Sequence, residues 1–276
     1  MIFIDGKKLN FSRFPDGTSY LHLGKNEWAD NSHINFNNMR EIVWAGNSDQ
    51  AIIELILFDN ALYNKIGYEY DPISFVVSYL PYARQDKIKL GEPLSVDFMV
   101  NILSSLNVLS AKVFDPHTKT AIYDSDRVEV IPSPFIKTVL KEGFVIFPDN
   151  GAYNRYLLLD TLTSVTFTKE RVGGKVKSTY LEPFARQTID RVINEGHSLC
   201  VWDDIIDGGA TFIEVAQYLK TMGIGRDKLK LFATHSITPT KTNQILLKYY
   251  KEINYTNSRF HDETLPYNHI FKVTHD

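Results

Sequence analysis

The sequence predicts an α/β fold built as two units, each a mostly parallel sheet flanked by helices. Short apolar, β-branched runs alternate with stretches of helical period along most of the chain. The alternation starts again after a break at Ile131-Pro132-Ser133-Pro134, where two prolines interrupt it. The composition is that of an ordinary globular protein, 276 residues with 43% hydrophobic and 23% charged. That length can fill two medium cores, so the predicted domains are residues 1–133 and 134–276.

The elements follow in order. Glu41-Ile42-Val43-Trp44 reads as a strand. Ser48 and Asp49 offer an N-cap to a helix over residues 51–63, with Ile52, Ile53, Leu55, Ile56, Ala61 and Leu62 as its apolar stripe. Residues 73–80 form an apolar strand. Ser95 caps a helix carrying Phe98, Met99, Ile102, Leu103 and Leu106, and residues 111–114 are a short strand. In the second half, residues 134–140 read as helix, 144–147 as strand, 152–159 as helix and 164–168 as strand. Strands at 199–202 and 228–233 flank a helix over 211–221. Residues 249–276 carry no chemistry that the sequence makes legible.

Several function classes are set aside by composition. A net charge of −3 gives no field to attract nucleic acid. The single cysteine, Cys200, sits in the apolar run Leu199-Cys200-Val201 and reads as a small buried hydrophobe. Met1-Ile2-Phe3-Ile4-Asp5 is too short for a signal sequence, and no apolar stretch approaches a membrane span. A cytoplasmic protein without membrane or nucleic-acid partners is expected.

Open parallel sheets bind ligands at the carboxyl ends of their strands, and four such ends carry unusual polar residues. The first is Val201-Trp202-Asp203-Asp204-Ile205-Ile206-Asp207-Gly208-Gly209-Ala210-Thr211. A glycine-bearing turn feeding a helix N-terminus presents amide donors and a positive dipole end, which suit a phosphate. Asp203 and Asp204, just upstream, can accept hydrogen bonds from sugar hydroxyls. Three acids and two glycines in one turn exceed what capping needs.

This segment resembles the phosphoribosyl-diphosphate loop of phosphoribosyltransferases and ribose-phosphate pyrophosphokinases, without separating the two. The second end, Pro81-Tyr82-Ala83-Arg84-Gln85-Asp86-Lys87, does separate them. A solvated charged loop would read the same way, but Tyr-Ala-Arg-Gln-Asp is similar to the ATP-binding signature of the pyrophosphokinases. Arg84 can fork onto phosphate oxygens. The shorter run after it, Lys89-Leu90-Gly91-Glu92-Pro93-Leu94-Ser95, resembles that of compact, archaeal-like or phage-like members. Phe14-Pro15-Asp16-Gly17 resembles the family's Phe-x-Asp-Gly loop, which holds adenine across a subunit interface; Thr18 stands where members place Glu. That implies a homo-oligomer with a shared adenine site.

The third end is Val113-Phe114-Asp115-Pro116-His117, similar to the family's Asp-x-His turn, and its companion is Phe147-Pro148-Asp149-Asn150-Gly151. The resemblance places His117 beside the Mg²⁺–ATP phosphates and gives Asp149 to Mg²⁺, a hard cation served by one carboxylate, substrate oxygens and water. The fourth is Thr168-Lys169-Glu170-Arg171-Val172-Gly173-Gly174-Lys175, read as a strand giving way to a basic loop. In the family a matching Lys-x-Arg opens a mobile catalytic flap, so Lys169 and Arg171 would close over the transferred diphosphate while Glu170 faces away.

The resemblance covers roughly residues 14–235. It implies two phosphoribosyltransferase-like domains, an ATP-binding one followed by a ribose-phosphate-binding one. The reaction implied is Mg²⁺-dependent transfer of diphosphate from ATP to the C1 hydroxyl of ribose 5-phosphate, with AMP released. On that reading Arg84, Gln85, Asp86 and the Phe14–Asp16 loop hold ATP. Asp207, Gly208, Gly209, Ala210 and Thr211 hold the 5-phosphate.

The loop departs from the family's Asp-Thr-x-Gly-Thr at Gly208 and Ala210, losing a hydroxyl donor. A 5-substituted ribose such as ADP-ribose, whose phosphate carries less charge, would suit the weaker clamp, and its product could feed NAD salvage. Two rivals remain: a phosphoribosyltransferase, which has no use for Arg84-Gln85-Asp86, and a silent regulatory homologue, which should have lost Lys169, Arg171, His117 or Asp149.

Overall fold

A computed structural model describes residues 1–66, 74–88, 90–107, 110–118, 126–156, 163–172, 175–181 and 184–274. The chain divides into one unit of Met1–Pro132 with Ser258–Tyr267, and another of Ser133–Asn257 with Asn268–Asp276.

The first unit contains β1 (Ile2–Ile4), β2 (Lys7–Lys8), β3 (Ser12–Arg13), β4 (Ser19–Tyr20), β5 (Glu41–Ala45), α1 (Asp49–Ile66), β6 (Ser74–Tyr79), α2 (Ser95–Ser105), β7 (Ala111–Phe114) and β8 (Val128–Ile131). Its sheet runs β2-β1-β5-β6-β7-β8. β5 to β8 are mutually parallel, and β1 is antiparallel to both its neighbours. Ile42, Val43, Trp44 and Ala45 on β5 are all buried, as are Phe75, Val76 and Val77 on β6. Unbroken apolar runs of this kind belong to strands covered on both faces.

The Ser48 hydroxyl caps α1, accepting the Ala51 N–H at 3.3 Å. The buried face of α1 is Ala51, Ile52, Leu55, Phe58 and Leu62; Ile53 and Ile56, expected in the stripe, are exposed. The helix carries apolar residues on two sides, and the sequence alone does not say which side meets the sheet. Ser95 is not a cap. It is the first residue of α2, behind Leu94, and is itself buried. Phe98 on the same helix is exposed.

The second unit contains α3 (Ile136–Glu142), β9 (Phe144–Phe147), α4 (Asn150–Tyr156), β10 (Thr163–Val172), β11 (Lys175–Leu181), α5 (Ala185–Asn194), β12 (Leu199–Ile206), α6 (Ala210–Thr221), β13 (Leu229–Ser236), α7 (Pro239–Leu246), β14 (Glu252–Thr256) and β15 (Ile270–Thr274). The sheet order is β11-β10-β9-β12-β13-β14-β15. Its five central strands are parallel, and the edge strands β11 and β15 are antiparallel to their neighbours. One cluster gathers Phe167, Ile189, Val215, Leu219, Leu246 and Tyr250. Another gathers Phe135, Val139, Phe147, Tyr156 and Trp202. The α/β class and the mostly parallel sheets flanked by helices are as the sequence predicts.

Three boundaries differ in ways that bear on the site. β12 continues through both acids to Ile206, because backbone pairing with β13 persists at Asp203↔Ala233, Ile205↔His235 and Ile206↔Ser236. Polar residues at 203 and 204 end the apolar run, not the strand. β10 likewise runs through Lys169, Glu170 and Arg171, which pair with β11 in a hairpin whose register shifts between Glu170 and Arg171. The loop expected there is strand, while residues 173 and 174 lie outside the described residues. α4 begins at Asn150, earlier than expected, and residues 157–159 of the expected helix also lie outside them.

Ser258–Tyr267, within the stretch that carries no legible chemistry, builds part of the first unit. Phe260 stacks on Phe3 with centroids 4.1 Å apart. Tyr267 meets Phe114 edge-on at 5.2 Å. The Ser78 hydroxyl donates to the Ser258 carbonyl at 2.7 Å, and the Asn47 amide donates to the Arg259 carbonyl at 2.9 Å.

Candidate active site

In the second unit, β12 delivers Asp203 and Asp204 and then turns through Asp207-Gly208-Gly209 into α6. Gly209 stands at the N-cap position with φ 83°. A Cβ there would lie 3.1 Å from Leu246 Cδ2, so the turn needs glycine both for its backbone and for the approach of α7. The Thr242 hydroxyl on α7 donates to the Asp207 carbonyl at 3.0 Å and fixes the turn from below. Gly208 differs: nothing lies within 4 Å of where its Cβ would be. Ala210 and Thr211 open the helix, and their amides are among those that a helix start leaves without intrahelical partners.

Asp204 is buried and Asp203 nearly so. Burial pushes the Asp203 carboxyl well above the usual carboxylate range; Asp204 adds to that rise and the Arg155 guanidinium opposes it. Arg155, in the last turn of α4, was not among the residues singled out from the sequence. Its Nη1 donates to Asp203 Oδ1 at 2.8 Å and to Asp204 Oδ1 at 2.6 Å. The available signal was an arginine six residues after Asp149 on a short helix, which carries little weight until the fold brings β9 and β12 side by side.

Asp149 follows β9 and starts α4: its Oδ1 accepts the Ala152 N–H at 3.1 Å, and its carboxylate is near enough to contribute to the charge felt by Asp203. The structure therefore brings Asp149, Asp203, Asp204 and the phosphate-loop candidates to the carboxyl ends of two neighbouring strands. Lys169 and Arg171 lie on β10, the strand beyond β9.

In the first unit, the segments after the adjacent strands β6 and β7 both take left-handed conformations at residues that are not glycine: Tyr82 with φ 60° and Asp115 with φ 40°. Such backbone costs on the order of 1–3 kcal/mol and clusters at ligand sites. Arg84 and Gln85 are exposed, and Asp86 is half-buried. The half-buried His117 follows the buried Asp115, whose amide donates to the Ile131 carbonyl at 2.8 Å. Phe14 and Asp16 occupy the β3–β4 hairpin, with Phe14 43% exposed and edge-on to Tyr20. Thr18 donates to Asp16 Oδ1 from its amide at 2.9 Å and its hydroxyl at 2.7 Å, which holds that carboxyl below its ordinary range. The departure from Glu at position 18 thus has a local role in fixing Asp16.

No family model matches the chain. It is 27% identical over 237 residues to a ribose-phosphate pyrophosphokinase of Thermococcus kodakarensis, covering 83% of this chain and 78% of that one. Identity with the Pyrococcus furiosus ribose-phosphate pyrophosphokinase is 26% over 260 residues, covering 91% and 85%. By sequence the chain is similar to ribose-phosphate pyrophosphokinases over most of its length. The crystal structure of phosphoribosylpyrophosphate synthetase from Mycobacterium smegmatis superposes with a TM-score of 0.66 at 20% identity, covering 94% of this chain and 84% of that one. The matched pyrophosphokinases thus span both units, and the solved structure shows the fold class. Among the described residues, no helix is long and apolar enough to cross a membrane.

Proposed function

We propose that this chain is a ribose-phosphate diphosphokinase, transferring the β,γ-diphosphate of ATP to the C1 hydroxyl of ribose 5-phosphate. The observation that carries the reading is the β12–α6 segment, where two acids held by one arginine precede a glycine turn and a helix start. That arrangement serves a sugar and its phosphate side by side. Asp203 and Asp204 accept hydrogen bonds from the ribose hydroxyls. Asp207, Gly208, Gly209, Ala210 and Thr211 surround the 5-phosphate, with α6 supplying amide donors. Arg84, Gln85 and Asp86 take ATP, and Phe14 and Asp16 serve an adenine of a neighbouring subunit in a homo-oligomer.

The C1 oxygen forms a bond to the β-phosphorus, the bond from that phosphorus to the α,β-bridging oxygen breaks, and AMP leaves with the bridging oxygen. The C1 hydroxyl proton passes to solvent. Such chemistry needs alignment and charge neutralisation more than covalent help, so Lys169 and Arg171 act by neutralising charge on the moving diphosphate.

Among the described residues, no three of His, Cys, Asp and Glu gather as a metal cage. A cation that keeps water and substrate oxygens as ligands needs none, and the half-buried carboxylate of Asp149 fits it. Asp149 and His117 would hold Mg²⁺, which supplies neutralisation of the triphosphate when bound with ATP.

A second reading rests on Gly208. The open space at its Cβ and the missing hydroxyl favour a phosphate carrying a substituent, as in ADP-ribose. The deciding assay is AMP formation from Mg²⁺–ATP with ribose 5-phosphate or ADP-ribose in parallel. Faster release with ribose 5-phosphate is expected; faster release with ADP-ribose selects the second reading and a role in NAD salvage. AMP from neither acceptor would overturn both.

A further inference from the structure

We infer that Arg155 is the positioning residue of the acceptor site, acting through Asp203 and Asp204 rather than on the substrate; this rests on the diphosphokinase reading. The guanidinium is 7% exposed and one nitrogen bridges both carboxylates. Asp203 Oδ1 is further engaged by the Asp204 amide at 2.8 Å. The Asp203 side chain is only 14% exposed, and its carboxyl also meets the Asp204 side chain. Arg155 therefore fixes the Asp203 carboxyl through Oδ1 and orients the acid that the proposed acceptor would meet.

The arginine is aimed by stacking. Tyr156, its neighbour on α4, lies over Trp202, the neighbour of Asp203 on β12, with ring centroids 3.9 Å apart. Two consecutive residues of the helix thus meet two consecutive residues of the strand. Asp149 caps the start of the same helix, so its two ends address the proposed metal acid and the acceptor acids.

Stability gives no reason for such a cluster. Taking two carboxylates and a guanidinium out of water is costly, and apolar replacements of buried ion clusters are often neutral or stabilising. Its placement at the strand end that carries the phosphate turn gives it a use. Arg155 opposes the rise that burial and Asp204 impose on the Asp203 carboxyl, so its loss would further favour the protonated form, the worse partner for a hydroxyl.

The test compares wild type, R155M and R155K by steady-state kinetics, with thermal melting as a fold check and calorimetry of ribose 5-phosphate and ADP-ribose binding. R155M is expected to raise the acceptor KM and weaken acceptor binding by about tenfold or more, leaving the KM for ATP within about twofold. R155K should recover part of the loss, because an ammonium keeps the charge but not the planar fork. Should R155M fail to fold, R155K is read against D203N and the R155K/D203N double variant. If Arg155 works through Asp203, the two effects on acceptor KM are less than additive. Acceptor KM and binding at wild-type values in R155M, or strict additivity in the cycle, overturn the inference while the proposed function stands. A wild-type protein that neither binds nor converts either acceptor overturns the function itself, and this inference with it.

Discussion

Gly46 lies against Pro81 so closely that a Cβ on the glycine would stand 2.3 Å from Pro81 Cδ. Gly46 follows β5 and Pro81 opens the Tyr82-Ala83-Arg84-Gln85-Asp86 turn after β6, so this contact sets where the proposed ATP segment leaves the sheet. Replacing Gly46 by Ala must push the turn or the proline aside. The expected cost is about 1–3 kcal/mol of stability, as for other overpacked sites. We expect a lower Tm together with a raised KM for ATP and an unchanged KM for the acceptor. An unchanged Tm and ATP KM would show that the turn relaxes without consequence.

Lys169→Ala tests the flap assignment. Removing one cation that neutralises developing charge is expected to lower kcat by roughly 10²–10³-fold. The circular dichroism spectrum and Tm should be preserved, since β10 and β11 are held by backbone pairing. Near-normal AMP formation by the variant would remove Lys169 from the mechanism.

How much of this was legible beforehand can be argued from particular residues. The β5, β6, β9 and β12 strands announce themselves because they are buried on both faces and so read as unbroken apolar runs. The segment around Phe260 did not, because its partners, Phe3, Ser78 and Asn47, lie some two hundred residues away in the chain. The acids and glycines of the 203–211 segment stood out as an excess of polar chemistry after a strand. Arg155 did not, since a lone arginine in a seven-residue helix has no local pattern, and its meaning comes only from the sheet order that sets β9 beside β12. Ile53 and Ile56 were assigned to the core from period alone, and tertiary packing chose the other side of α1.

Gly208→Thr examines acceptor choice. The open space around Gly208 and its ordinary φ allow a side chain without strain. A restored hydroxyl adds a donor to a charged phosphate, about 1.5–3 kcal/mol for a well-formed bond, or roughly tenfold to a hundredfold in affinity. We expect a lower KM for ribose 5-phosphate and a poorer kcat/KM for ADP-ribose in competition assays. Equal effects on both acceptors would mean the loop does not discriminate between them.

Asp203→Asn should separate stability from function. The folded-state pKa of Asp203 is raised, chiefly by burial, so the fold favours its neutral form. The stability it contributes is present below the ordinary carboxylate pKa, about 4, and is lost as pH rises through the raised value. Above the ordinary carboxylate range that loss is a liability that Asn does not carry. The variant is expected to melt at a higher temperature than wild type at pH 8, with the difference shrinking as pH falls towards the ordinary carboxylate range. Acceptor turnover should be largely lost at every pH, because the Asn amide replaces one acceptor oxygen with an NH₂ donor. Differential scanning calorimetry across that pH series, beside AMP formation, reads both. A lower Tm at pH 8 would mean that attraction to Arg155 outweighs the cost of burying the charge, and the carboxylate would then be ionised in the fold as a stabilising partner.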